Sequence, residues 1–165
     1  MLFRSGLTLV FSKGMSSLPD EHRVLEYGDH GLSVTTIAIC LVIRTLWRAW
    51  TGFPVLPSGM GKAAVIAAKS VHYLLYVVLF AQILVGVFLA STTRLDFVAN
   101  GYGINYTSFD LVSDGMHDTL LTFHIGLYWT IIALLAVHIL AALKHHFVDR
   151  DNVLVRILPF TGESN

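Results

Sequence analysis

The sequence predicts an all-α fold: an integral membrane four-helix bundle with a shortened first helix, forming one domain over residues 1–165. Three observations lead there. From Thr119 to Leu143 runs a stretch of 25 residues with no Asp, Glu, Lys or Arg, and about 20 mostly apolar residues suffice to cross hydrocarbon. The chain is 55% hydrophobic and 13% charged, with mean hydropathy +0.66, a balance typical of a compact membrane domain. Further apolar segments recur, separated by polar connections that carry Pro and Gly.

The first segment, about residues 2–17, is apolar but interrupted by Arg4 and Ser5. A basic residue ahead of an apolar run imitates a signal peptide. The following SSLPDEHR is charged, contains Pro19 and offers no small-residue cleavage site. The segment therefore reads as a short membrane helix. Pro19 and Gly28 are expected to bracket a polar loop holding Asp20, Glu21, Arg23, Glu26 and Asp29. The second helix is expected over about 30–50 and closes on Arg44 and Arg48. Their aliphatic stems suit lipid while their heads reach water, and Trp47 and Trp50 suit the interface. TGFPVLPSGMGK then breaks the chain before a third helix, about 63–90, which carries His72. A loop with Arg94 against Asp96, Asp110, Asp114 and Asp118 leads to the fourth helix, about 117–147.

Charge gives an orientation. Between Arg44 and Lys69 stand four basic residues and no acidic one, whereas the loops before the second and fourth helices are net acidic. The positive-inside rule makes the former connection and the C-terminal tail cytoplasmic. Net charge is zero, so nothing points to nucleic acid. Cys40 is the single cysteine, which excludes an internal disulfide and a thiolate-built metal site. No Gly-rich phosphate loop, hydrolytic triad, paired catalytic carboxylates or CxxCH motif occurs.

The eight histidines carry the chemistry. Imidazole is costly in hydrocarbon and marks a functional site there. His124 and His138 are 14 residues apart. At about 100° per residue that returns to within about 40° of the same face, roughly 21 Å further along the axis. Two rings on one stripe suggest axial ligands for two stacked haems, held without covalent attachment. Bis-histidine ligation takes one ring from each of two facing helices. His30, on the same side as His124, is its first-choice partner; as a plain alternative, it sits at a helix start beside Glu26 and Asp29. His72 is the remaining intramembrane candidate for His138, against a core or quinone-contacting role. His145 and His146, beside Lys144, suit the helix dipole, proton exchange or quinone contact. His117 reads as solvated and His22 as a loop residue. Arg44 and Arg48 are either propionate partners or lipid anchors.

These residues sit in recognisable surroundings. YGDHGLSV around His30, VHYLLY around His72 and VHILAALKHHFVDRDNVLVRILP from Val137 to Pro159 make the chain resemble the bacterial cytochrome b561 family, within the di-haem cytochrome b subunits of hydrogenases and formate dehydrogenases. The resemblance covers about Met15 to Pro159. It implies a four-helix bundle in the bacterial inner membrane, carrying two b haems and passing electrons between quinone or quinol and a redox partner protein. His30, His124 and His138 match ligand positions, and His72 matches a histidine common in the b561 branch. The family normally has a His-Trp pair early in its first helix, at a place that falls just before Met1. A truncated start, or loss of that ligand, is therefore expected. One haem or two stay open for this chain, with His138 held by His72 or by water. AQILVG in the third helix also stands where the family usually has proline.

The function expected is transmembrane electron transfer through b haem, in contact with membrane lipids and a quinone, in a monomer or homodimer. Three alternatives remain. The chain could be a superoxide oxidase reducing quinone, although acidic outer loops repel an anion. It could be a cytochrome b anchor subunit of a dehydrogenase or hydrogenase, or a haem-free metal or proton conduit.

Overall fold

The computed structural model describes residues 18–52 and 61–149. The helix expected over about 2–17 lies outside them. The described residues form three long helices: α1 (Asp20–Thr51), α2 (Lys62–Ser91) and α3 (His117–Lys144). The last is preceded by a 3-10 turn (Asp114–Met116) and runs on into a π-helical turn (His145–Asp149). No strand occurs among the described residues, only an isolated bridge between Ala99 and Ile104. Each helix is long and apolar enough to cross a membrane. At about 1.5 Å per residue, even the shortest exceeds the roughly 30 Å of a hydrocarbon core.

The start of α1 corrects one expectation. Residues 20–29 are helical, not a loop. Pro19 precedes the first turn, where its missing N–H costs nothing. Asp20 and Glu21 then occupy that turn, where carboxylates complement the positive end of the helix dipole. His22 consequently lies in a helix. His30 lies three turns in, rather than at an N-terminus. At the other end Gly52, with φ 75°, lets its N–H bond to Arg48 O and stops the helix.

Polar side chains inside α1 are satisfied locally. Ser33, Thr35, Thr36, Thr45 and Thr51 each donate a hydroxyl to the carbonyl four residues back. That back-bonding lets hydroxyls sit in an apolar helix without an unpaired donor. Trp47 and Trp50 are 67% and 90% exposed, at the helix end that also carries Arg44 and Arg48.

Most of the apolar surface has no protein partner. Buried hydrophobic side chains among the described residues are Leu41, Phe97, Ala99 and Leu120 alone. Large apolar residues stand exposed along all three helices, Ile43, Ile66, Leu84, Phe123 and Leu140 among them. A water-soluble monomer rarely shows contiguous apolar surface on this scale; lipid is the solvent that suits it.

The helix packing is uneven. α2 lies antiparallel along α3 with extensive contact, whereas α1 leans on α2 at few points and scarcely approaches α3. What holds α1 is the α2–α3 connection. Ala99 and Ile104 close a tight turn whose Gly101 and Gly103 have φ 81° and 66°. The backbone N–H of Asn100 donates to Gly28 O at 3.0 Å, and its side chain donates to Asp29 at 2.7 Å. Tyr106 and Tyr102 hydroxyls meet Thr35 and Thr36 at 2.9 and 3.1 Å, and Tyr27 stacks at a tilt on Phe97. Gly31 matters here because a Cβ on it would come within 3.0 Å of Ala99 Cβ and 3.1 Å of Ala99 Cα. Overfilling such a contact costs about 1–3 kcal/mol. Gly31→Val is therefore expected to lower the melting temperature in detergent by several degrees. Gly126→Val, in open space, is expected to leave it nearly unchanged.

Candidate functional site

Three cross-helix contacts set the register of α2 on α3, and each involves a histidine of α3 or its partner. Nearest the α2–α3 connection, the Thr92 hydroxyl lies 2.9 Å from His117 Nδ1. Further along, Gln82 Nε2 lies 3.1 Å from His124 Nε2. Towards the far end, the His72 and His138 rings stand 5.1 Å apart between centroids, inclined at 63°.

His124 also faces α1. Its ring and that of His30 are 6.4 Å apart between centroids and nearly perpendicular, at 80°. Both side chains are half-buried. His30 Nδ1 and His124 Nδ1 are buried without a hydrogen-bond partner, as is Gln82 Oε1. An unsatisfied buried polar atom is costly and calls for an explanation. α2 also makes room for the ring: a Cβ on Gly86 would stand 3.1 Å from His124 Cε1.

The four histidines singled out from the sequence thus come together as two pairs, His30 with His124 and His72 with His138. The pairs differ as metal sites. An imidazole nitrogen lies about 2 Å from a metal it binds. Its ring centre lies roughly 1 Å beyond, so two rings on opposite sides of one ion stand about 6 Å apart. The separation of 6.4 Å suits that arrangement. At 5.1 Å, His72 and His138 as they stand are too close for an ion placed between them. His72 is also exposed. Beside that pair lie Arg48 and Arg44, whose Nε donates to Tyr76 at 2.9 Å.

One further histidine behaves otherwise than the sequence suggested. His117 is half-buried and bonded to Thr92 rather than solvated. His145 and His146 lie in a π-helical turn, a local widening often found at functional positions. Gln82 was not singled out in the sequence, where AQILVG stood out only for its missing proline. A neutral amide in an apolar helix, ten residues past His72, is the signal that would have found it.

A polar pocket of about 460 Å³ opens near the His30–His124 end, lined by Arg23, Tyr27, Thr92, Arg94, Asp114 and His117 among others. His117 precedes His124 by about two turns, roughly 10 Å along α3.

The comparison with known proteins follows the same residues. A family model described as prokaryotic cytochrome b561 matches residues 2–160. The chain belongs to the prokaryotic cytochrome b561 family. It is similar to cytochrome b561 homolog 2 of Escherichia coli (strain K12), at 31% identity over 119 residues, which cover 72% of this chain and 62% of that protein. It is also similar to the probable superoxide oxidase CybB of Yersinia pestis, at 27% identity over 88 residues, 53% of this chain and 49% of that protein. The matches thus span about three fifths and about half of the two relatives' lengths. Family membership goes with three helices apolar and long enough to cross a membrane, and the family implies b-type haem generally.

The Thr92–His117 contact permits a test of the register. Loss of a hydrogen bond of this kind costs about 1 kcal/mol. Thr92→Val is expected to lower the melting temperature by a few degrees. Thr122→Val, which removes only a bond to its own helix, is expected to lower it by less.

Proposed function

We propose that this cytochrome b561 relays single electrons within the membrane through one b haem held by His30 of α1 and His124 of α3. The observation that carries the reading is the ring pair itself: two half-buried imidazoles from separate helices, 6.4 Å apart, each with a buried nitrogen lacking a partner. Bound haem supplies a one-electron couple, and two nitrogen ligands leave its iron no open position for oxygen or substrate. The protein's part is to hold both rings in place through a change of charge. Burial keeps water from the ligand nitrogens and favours the charge state the surroundings can bear. A second haem at His72 and His138 is not part of the proposal, because those rings stand too close together.

Quinone is the proposed electron reservoir, at the end of the helices where His145, His146 and Lys144 follow His138. Quinone reduction consumes protons, and imidazole is a side chain that can carry them. The base-rich connection after α1 makes this end cytoplasmic in the proposed topology, in a bacterial inner membrane.

Two measurements test the ligand assignment. Haem per polypeptide in the purified protein is expected to be one. His30→Ala and His124→Ala are each expected to abolish the sharp visible bands of the reduced protein, while His72→Ala retains them. Unchanged bands in His30→Ala would contradict the assignment.

One observation favours a second reading. The polar pocket near the His30–His124 end is lined by Arg23, Arg94 and His117 among others, and one relative is named a probable superoxide oxidase. A small anion entering there would give its electron to the same haem, with quinone as final acceptor. Asp20 and Asp114 in the same wall oppose that entry. Stopped-flow mixing with superoxide decides: haem reduction within the mixing experiment supports this reading, and an oxidised spectrum throughout rejects it.

A further inference from the structure

On the electron-relay reading, we propose that the polar pocket at the His30–His124 end receives the propionates of the same haem, with Arg23 of α1 as their main anchor and Arg94 and His117 beside it.

The helical register places the pocket. Arg23 precedes His30 by seven residues, and His117 precedes His124 by seven. Seven residues make about two turns, so each side chain keeps the face of its ligand and lies roughly 10 Å nearer the helix start. Two equal steps from two facing rings lead to one cavity of about 460 Å³, which both residues line. A b haem carries both carboxylates on one edge of its porphyrin. A receiver for them therefore belongs on one side of the ligand level, reached from both ligand-bearing helices.

The side chains suit carboxylates. Arg23 is half-buried, and one of its terminal nitrogens donates to Asp20. Its Nε is buried and without a partner. A buried donor without an acceptor is costly, and the guanidinium fork matches a carboxylate. Arg94 comes from the α2–α3 connection, lines the same pocket and makes no ion pair among the described residues. The Thr92 hydroxyl donates to Leu89 O at 2.8 Å, so it accepts from His117 Nδ1 at 2.9 Å. That contact fixes the His117 ring and leaves its other nitrogen for a further partner.

The balance of charge points to a tethered anion. Asp20 and Asp114 share the wall with the two arginines, and with His117 neutral the four charges cancel. An anion free in solution finds little net attraction there. A carboxylate attached to a porphyrin already held by His30 and His124 arrives at high effective concentration and needs none.

The test is a titration of the full chain, stripped of haem, with hemin and with hemin dimethyl ester, whose propionates carry no charge. The native chain is expected to bind hemin about 10–100-fold more tightly than the ester, the worth of a charged hydrogen bond. Arg23→Leu is expected to weaken hemin towards the ester and to leave the ester unchanged, while Arg23→Lys keeps part of the preference. Arg44→Leu, at the far end of α1, is expected to keep all of it. A purely structural role for Arg23 would weaken both ligands alike. Equal binding of the two by the native chain, equal weakening of both in Arg23→Leu, or a preference lost in Arg44→Leu instead, overturns the proposal. Should Arg23→Leu not be recovered folded, Arg94→Leu reads the same pocket, and an undiminished preference there counts against it. A native chain that binds neither ligand, or binding indifferent to His30→Ala, refutes the relay reading itself. Tight binding that needs His30 but ignores the ester refutes only the role given to the pocket.

Discussion

The arrangement depends on how α1 is held. It scarcely approaches α3, yet His30 and His124 face each other across the space between them. Direct packing of α1 on α3 would close that space. Instead the connection between α2 and α3 reaches across and fastens onto the first turns of α1. Gly28 and Gly31 let Ala99 and Asn100 come within contact of its backbone. Tyr102 and Tyr106 extend the attachment further down the same helix. Each hydrogen bond is worth only about 0.5–1.5 kcal/mol net, but together they fix the spacing of two helices that barely touch. α1 is thus a wall bearing His30 and carried by a loop, and α2 with α3 is the frame.

The frame has its own logic. α2 and α3 pack closely, so polar side chains between them must satisfy one another or face a site. Thr92 with His117 and Gln82 with His124 do the former. In lipid no water stands ready to replace a lost partner, which makes every unpaired buried atom informative. The orphaned atoms that are not on Arg23 fall at one level of the bundle, on His30, His124 and Gln82. Among the described residues, that coincidence sets this level of the bundle apart.

Much of this was legible in the sequence. The all-α class and the apolar helices follow from charge-free runs of membrane length. The shared face of His124 and His138 is arithmetic on 14 residues. The start of α1 was not legible from hydropathy, because residues 20–29 are polar and turn-like. Pro19 followed by Asp20 and Glu21 is a helix-start signal, and it outweighed the break suggested by Gly28. The loop clamp was hidden for another reason. Its contacts join residues some 70 positions apart, such as Thr35 with Tyr106, and no local pattern announces them. The separation of the two histidine pairs, 6.4 Å against 5.1 Å, is likewise a property of packing.

The central claim is that iron sits between two imidazoles carried by α1 and α3. Electron paramagnetic resonance of the oxidised, purified protein tests it most directly, because the ferric signal reports how many strong axial ligands the iron has. A purely low-spin signal that turns high-spin when His30 is replaced is the result this account predicts. A high-spin signal in the native protein, or a low-spin one indifferent to His30, would contradict it.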